Sequence, residues 1–113
     1  MLTHPTAHEL VDGVARWLAE EPAPSAFQLR VARNALEIAA RDMAQGPEAD
    51  RRAEARLTRL LGIEGSRATL DATLATALRE GRIAPDSPAL LEHLRAAALD
   101  ALNIDQPRYA HEL

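Results

Sequence analysis

Residues 25–44, SAFQLRVARNALEIAARDMA, decide the fold. At about 100° per residue, Phe27, Leu29, Val31, Ala32, Ala35, Leu36, Ile38, Ala39 and Met43 fall in one continuous arc wider than half of a helical wheel. A helix that apolar has to be covered from more than one side, so this stretch is expected to run through the centre of a helical bundle. The remaining narrow arc carries Arg30, Arg33, Asn34, Glu37 and Arg41, a single polar seam with Asn34 at its edge beside Phe27. Ser25 is placed to cap this helix and Gln28 to return the bond, while Gly46 is placed to stop it in a left-handed conformation.

On either side the chain reads as further helices. Thr6 and Glu9 have the spacing of a capping box, opening a first helix near Ala7. Its Leu10, Val11, Val14, Trp17 and Leu18 share one face, and it ends before Pro22 and Pro24. Gly13 sits mid-helix at a cost of about 1 kcal/mol relative to Ala, and close approach by a partner backbone is the one reason the sequence suggests for it. After Gly46, Pro47 suits the first turn of a third helix, with Ala53, Leu57, Leu60 and Leu61 as its apolar stripe and Gly62 as its stop. Ser66 caps a fourth helix that ends at Gly81, and Ser87 before Pro88 caps a fifth that ends before Pro107. The expectation is an all-α, single-domain bundle of about five helices over residues 1–113, packed around a central helix near residues 26–44, with 1–5 and 108–113 as extended or mobile ends.

Composition narrows the function. Hydrophobic residues make up 47% of the 113-residue chain and aromatics only 3%, so the core is aliphatic and alanine-rich, and the length suits one domain. A formal charge of −4 argues against a general nucleic-acid binder, which needs a basic face. All 13 basic residues are Arg; without Lys there is neither Schiff-base chemistry nor a phosphate-loop lysine. Without Cys there is no thiolate catalysis, disulfide or cysteine metal site. The start, MLTHPTAHEL, lacks the basic and apolar regions of a signal peptide, and no segment approaches a membrane span, so a cytoplasmic protein acting away from membranes is expected.

Few residues offer chemistry. Ser25, Ser66 and Ser87 are all helix caps outside any nucleophile elbow. His4, His8 and Asp12 are spaced by four, but Pro5 separates His4 from the helix and no further ligand is apparent; His8 with Asp12 reads as a surface pair rather than a metal site. His93 reads as a half-buried residue of the fifth helix, and His111 lies in the tail, whose AHEL ending resembles a retrieval signal that has no meaning without a signal peptide. Arg51, Arg52, Arg56 and Arg59 alternate with acids and read as solvated surface. The seam is the candidate site: Arg30, Asn34 and Arg41 share a narrow angular window, and the planar fork of Arg suits a carboxylate, a phosphate or an acidic partner. The plainer reading is a salt-bridged face running from Arg33 through Glu37 to Arg41. No catalytic constellation, metal site or cofactor site can be assembled.

These residues carry a likeness. PTAHEL with Val14 and Leu18, VARNALEIAARD with Asn34, Ala35, Leu36, Ile38 and Arg41, LLG at Leu60–Gly62, LREG at Leu78–Gly81 and EHLRAAALDALNIDQPRY at Glu92–Tyr109 stand in order from Pro5 to Tyr109. The chain thus resembles an uncharacterised family of small bacterial helical proteins encoded beside aminoglycoside-phosphotransferase-like kinases and acyl-CoA dehydrogenases. The resemblance implies a non-catalytic accessory subunit of such a kinase, acting on hydroxyacyl-CoA in acid catabolism, with the dehydrogenase-like protein as a further partner; a homodimer stays open. Arg108 and Tyr109, types enriched in binding hot spots, join Arg30, Asn34 and Arg41 as the expected partner- or anion-binding residues. The alternatives are a small acyl-CoA or anion-binding helical module acting without a kinase, an enzyme using His93 or His8 as base, and a helix-turn-helix DNA binder, which the acidic charge disfavours.

Overall fold

The computed structural model describes residues 1–110. It consists of α1 (Ala7–Glu20), α2 (Ala26–Leu61), α3 (Arg67–Arg79), α4 (Pro88–Asp105) and α5 (Pro107–Ala110), with no strand among the described residues, so the fold is all-α. No helix among these residues is long and apolar enough to cross a membrane. The chain forms two compact units, one from Met1 to Pro47 and one from Glu48 onward.

Local signals set most helix ends. The Thr6 hydroxyl accepts from Glu9 N–H at 3.2 Å and the Glu9 carboxylate accepts from Thr6 N–H at 3.4 Å, closing the capping box. Ser25 and Gln28 make the same reciprocal pair at the start of α2, at 3.1 and 2.8 Å. Ser66 and Ser87 accept from Thr69 and Leu90 N–H. Gly62 and Gly81 end α2 and α3 with φ of 73° and 72°, a conformation that costs glycine nothing.

The one boundary that differs is Gly46–Pro47. The helix does not stop there: what the sequence presents as a second and a third helix is one 36-residue helix with Pro47 inside it. Pro47 removes one N–H, leaving the carbonyl of Met43 without its helical donor, but Met43 and Pro47 are both exposed, so water can serve that carbonyl. Gly46 is needed for close approach instead. A Cβ there would sit 3.2 Å from both Asp42 Oδ1 and the Met1 nitrogen. Asp42 is buried and accepts from Leu2 N–H at 2.8 Å, with the Met1 amino nitrogen 3.4 Å away, so the start of the chain is fastened across Gly46.

In the second unit Leu57 of α2, Leu70 and Leu74 of α3 and Leu90 of α4 form the core, with Leu60, Leu61, Leu78 and Ile83 packed against it. Each fully buried leucine contributes about 1.5–3 kcal/mol of transfer free energy. The C-terminal segment is helical where an extended end is expected: α5 packs on α4, Tyr109 N–H bonds the Gln106 carbonyl at 2.9 Å, and Ala110 is buried. His111 and the last two residues lie outside the described residues. The first unit holds one helix besides the first part of α2, namely α1, and its buried side chains are small: Ala7, Ala32, Ala39 and Asp42.

Candidate functional site

With one further helix in its unit, the wide apolar arc of the first part of α2 keeps several large side chains exposed. Its buried line runs through Ala32, Ala39 and Gly46, while Phe27 (66% exposed) and Val31 (53%) stand on one flank and Leu29, Leu36 and Met43 (60%) on the other. With Val11 and Leu18 of α1, seven large apolar residues of this unit are exposed, against four in the second unit among the described residues. Concentrations of exposed apolar side chains of this kind are common on interaction surfaces. On the Phe27 flank it deepens into a groove of about 440 Å³ between α1 and α2, walled by Leu10, Val14 and Trp17 on one side and Phe27, Val31 and Ala35 on the other. Gly13 lines it too, and no described side chain or packed neighbour lies within 4 Å of where its Cβ would be, so no described contact explains this glycine.

The polar seam adjoins the groove. Arg30 and Asn34 are exposed on α2, and Arg41 is half-buried. Because Asn34 is open to water, its amide carries no desolvation cost that would demand a partner. Arg33 Nε bridges Glu37 at 3.3 Å, as expected of a solvated face. Asp12 pairs with Arg16 at 2.9 Å rather than with His8. Arg108 and Tyr109, both exposed, belong to α5 of the second unit, whereas the seam belongs to the first.

The second unit holds a polar cluster built on Arg56 and His93; Arg51, Arg52 and Arg59 are exposed as expected, whereas Arg56 is half-buried. Arg56 Nε donates to His93 Nδ1 at 3.1 Å, joining α2 to α4 across 37 positions of sequence. His93 is only 4% exposed. Accepting at Nδ1 puts its ring proton on Nε2. Burial first, then the Arg56 and Arg67 charges, push the His93 imidazole below its usual value, with Asp71 opposing, so the ring is neutral at neutral pH. Burial also lowers the Arg56 guanidinium from its usual value, with Asp100 opposing, although no arginine loses its proton at ordinary pH. Arg52 bridges Asp100 at 3.0 Å, and Arg67 bridges Asp50 at 3.1 Å and Asp71 at 3.5 Å. Two atoms stay buried without a partner: Arg56 Nη2 and Asp100 Oδ2. The only hint of this cluster in the sequence is the helical period that puts Ala53 and Leu57 inside, which brings Arg56 to the edge of the buried stripe.

No group of three or more His, Asp or Glu among the described residues is placed to hold a metal ion. Fold and surface together define an all-α protein whose accessible features include an apolar groove on one unit and an arginine–histidine hollow on the other. Residues 11–109 match the family described as Domain of unknown function (DUF6285), and the chain belongs to that family. Neither the curated proteins nor the solved structures contain a match to it.

Proposed function

We propose that this protein is a non-catalytic companion subunit of an aminoglycoside-phosphotransferase-like kinase that acts on hydroxyacyl-CoA. Its docking surface is the groove between α1 and α2 with the adjoining Arg30, Asn34 and Arg41 seam. The kinase as partner comes from the sequence resemblance. What supports a docking role is the open apolar face: Phe27 and Val31, which wall the groove, are both more than half exposed. Burying two such side chains against a partner stabilises a complex by about 3 kcal/mol before the costs of association are subtracted. The exposed arginines on the rim then set orientation and exclude wrong partners more than they add affinity.

The test is light scattering after size exclusion on this chain, on the kinase-like protein of the same genome, and on the two co-expressed. A mixed complex is expected, with kinase activity appearing only when both chains are present. Separate peaks and a kinase fully active alone would overturn the reading. The groove's nearly all-apolar lining favours one other occupant, an acyl chain bound directly. A thermal shift of the isolated chain with acyl-CoA, in the absence of a mixed complex, would establish that module instead.

A further inference from the structure

We propose that the hollow between α2 and α4 in the second unit is a binding site for a phosphate group, independent of the companion-subunit reading. The hollow measures about 320 Å³ and is lined by Arg56, Arg59, Leu60, Ala89, Glu92 and His93.

The arginines that line it are not paired. Arg52 is answered by Asp100, and Arg67 by Asp50 and Asp71. Arg56 and Arg59 form no ion pair with any described residue; the hydrogen bond that Arg56 makes is to a neutral imidazole. On the lining itself these two cations meet one carboxylate, Glu92; Asp100 acts on Arg56 electrostatically but pairs with Arg52, and the guanidinium nitrogen Arg56 Nη2 stays buried with no acceptor. A donor left in that state costs about 1–3 kcal/mol, and more when the group is charged. An anionic oxygen delivered to this place removes the cost and gains charge-assisted hydrogen bonds.

Phosphate fits the donor set better than carboxylate does. Two guanidinium forks are suited to two oxygens of one tetrahedral group, and the His93 ring proton on Nε2 adds a donor at the wall. Glu92 would repel a carboxylate, which has nothing to donate. A phosphate group that retains one proton donates that proton's hydrogen bond to Glu92 and presents its charged oxygens to the arginines. Reaching Arg56 Nη2 requires a rotamer change at the rim, which Arg59 and Glu92, both exposed, can make.

The experiment is calorimetric titration of the whole chain, at constant ionic strength, with inorganic phosphate, methyl phosphate and acetate. Saturable binding of the phosphates is expected, with acetate at least about tenfold weaker. Arg59→Gln changes an exposed side chain outside the core; it should weaken phosphate by about tenfold or more and leave the circular-dichroism melt unchanged, with Arg59→Lys recovering part of the loss. Tighter binding of inorganic phosphate than of the ester identifies the free ion as ligand; equal or tighter binding of the ester identifies the phosphate end of a larger molecule. No saturation by either phosphate below about 10 mM, acetate binding as well as phosphate, or an unchanged affinity in Arg59→Gln would each overturn the proposal.

Discussion

The parts of α2 before and after Pro47 carry similar proportions of aliphatic residues and meet opposite fates. After Pro47, Ala53 and Leu57 are fully buried, because α3 and α4 close over a narrow stripe. Before it, the arc is wider and its unit supplies only α1 beside it, and the larger side chains stand on the flanks with Ala32 and Ala39 inside. The width of an apolar arc therefore measures how many neighbours a helix calls for, and the chain decides how many it supplies. Where the two numbers agree the result is a closed core; where they do not, the result is an exposed apolar face.

The sharpest way to break this contrast is to truncate one leucine on each side. Leu57→Ala empties space in a closed core and should lower stability by about 2–5 kcal/mol. Leu36→Ala removes a side chain that is already 40% exposed and, in the isolated chain, should change stability by no more than about 0.5–1 kcal/mol. Urea unfolding followed by circular dichroism reads both. An equal cost at the two sites would mean that the flank of the first unit is covered in solution, and a dependence of that cost on protein concentration would identify a second copy as the cover.

Next in size is the effect of Phe27→Asp on association. Phe27 lies in the first turn of α2, which has no acidic residue, so an aspartate there faces the positive end of the helix dipole and should leave the melt unchanged or slightly raised. In the docked state the same carboxylate would be desolvated in an apolar groove. Association with the kinase-like partner should weaken by about 2 kcal/mol or more, roughly thirtyfold. Tyr109→Ala, on the other unit, separates the two surfaces: a loss from Phe27→Asp with none from Tyr109→Ala confines docking to the first unit, and the reverse removes the groove from it.

What could be read from sequence divides along the same line. The caps at Thr6, Ser25, Ser66 and Ser87 and the stops at Gly62 and Gly81 depend on residues within about four positions of one another, and each forms as its spacing implies. The passage through Gly46–Pro47 depends on Met1, Leu2 and Asp42 meeting Gly46, which no local pattern encodes, so a turn was the natural reading there. The seam was legible because Arg30, Asn34 and Arg41 share a helical face. The Arg56–His93 contact joins two helices 37 positions apart, and an arginine among acids on an amphipathic helix looks the same whether or not a distant histidine waits for it. Exposure of Phe27 and Val31 was illegible for the converse reason: periodicity identifies a face to be covered but not what covers it.

Within the second unit, the buried imidazole makes stability depend on pH in a known direction. His93 has its affinity for protons lowered on folding, by burial first and the arginines second. The unfolded chain therefore takes up the proton first as pH falls below the ordinary imidazole value of about 6.5. The contribution of the neutral ring is full above that value and is lost as pH falls from it toward the lower folded-state value. His93→Gln keeps an acceptor for Arg56 Nε and cannot titrate. The difference in urea midpoint between the natural protein and His93→Gln should accordingly be flat above about pH 7 and should move against the natural protein between about pH 6.5 and 5. A difference that stays constant across that range would show that His93 is protonated as easily folded as unfolded, contrary to its burial.

The smallest expected effect bears most directly on why the first unit is left open. Gly13 is an interior residue of α1, where glycine costs about 0.5–1 kcal/mol relative to alanine, and beyond its own helix backbone no described residue lies within 4 Å of its missing Cβ. In the isolated chain Gly13→Ala should thus stabilise by about that amount, a few degrees in the melt. Gly46→Ala provides the contrast, since its Cβ would press on Asp42 Oδ1 and the Met1 nitrogen and offset the same helical gain. If the Gly13 position lets a partner backbone come close, the stabilised Gly13→Ala chain should bind the kinase-like protein more weakly, and Gly13→Leu, which fills the groove, should abolish the complex while remaining helical. Stability and binding would then move in opposite directions at one residue, which a purely structural glycine does not produce. Unchanged affinity in both variants would leave the groove a surface without an occupant and would confine docking, if it occurs, to the seam or to α5.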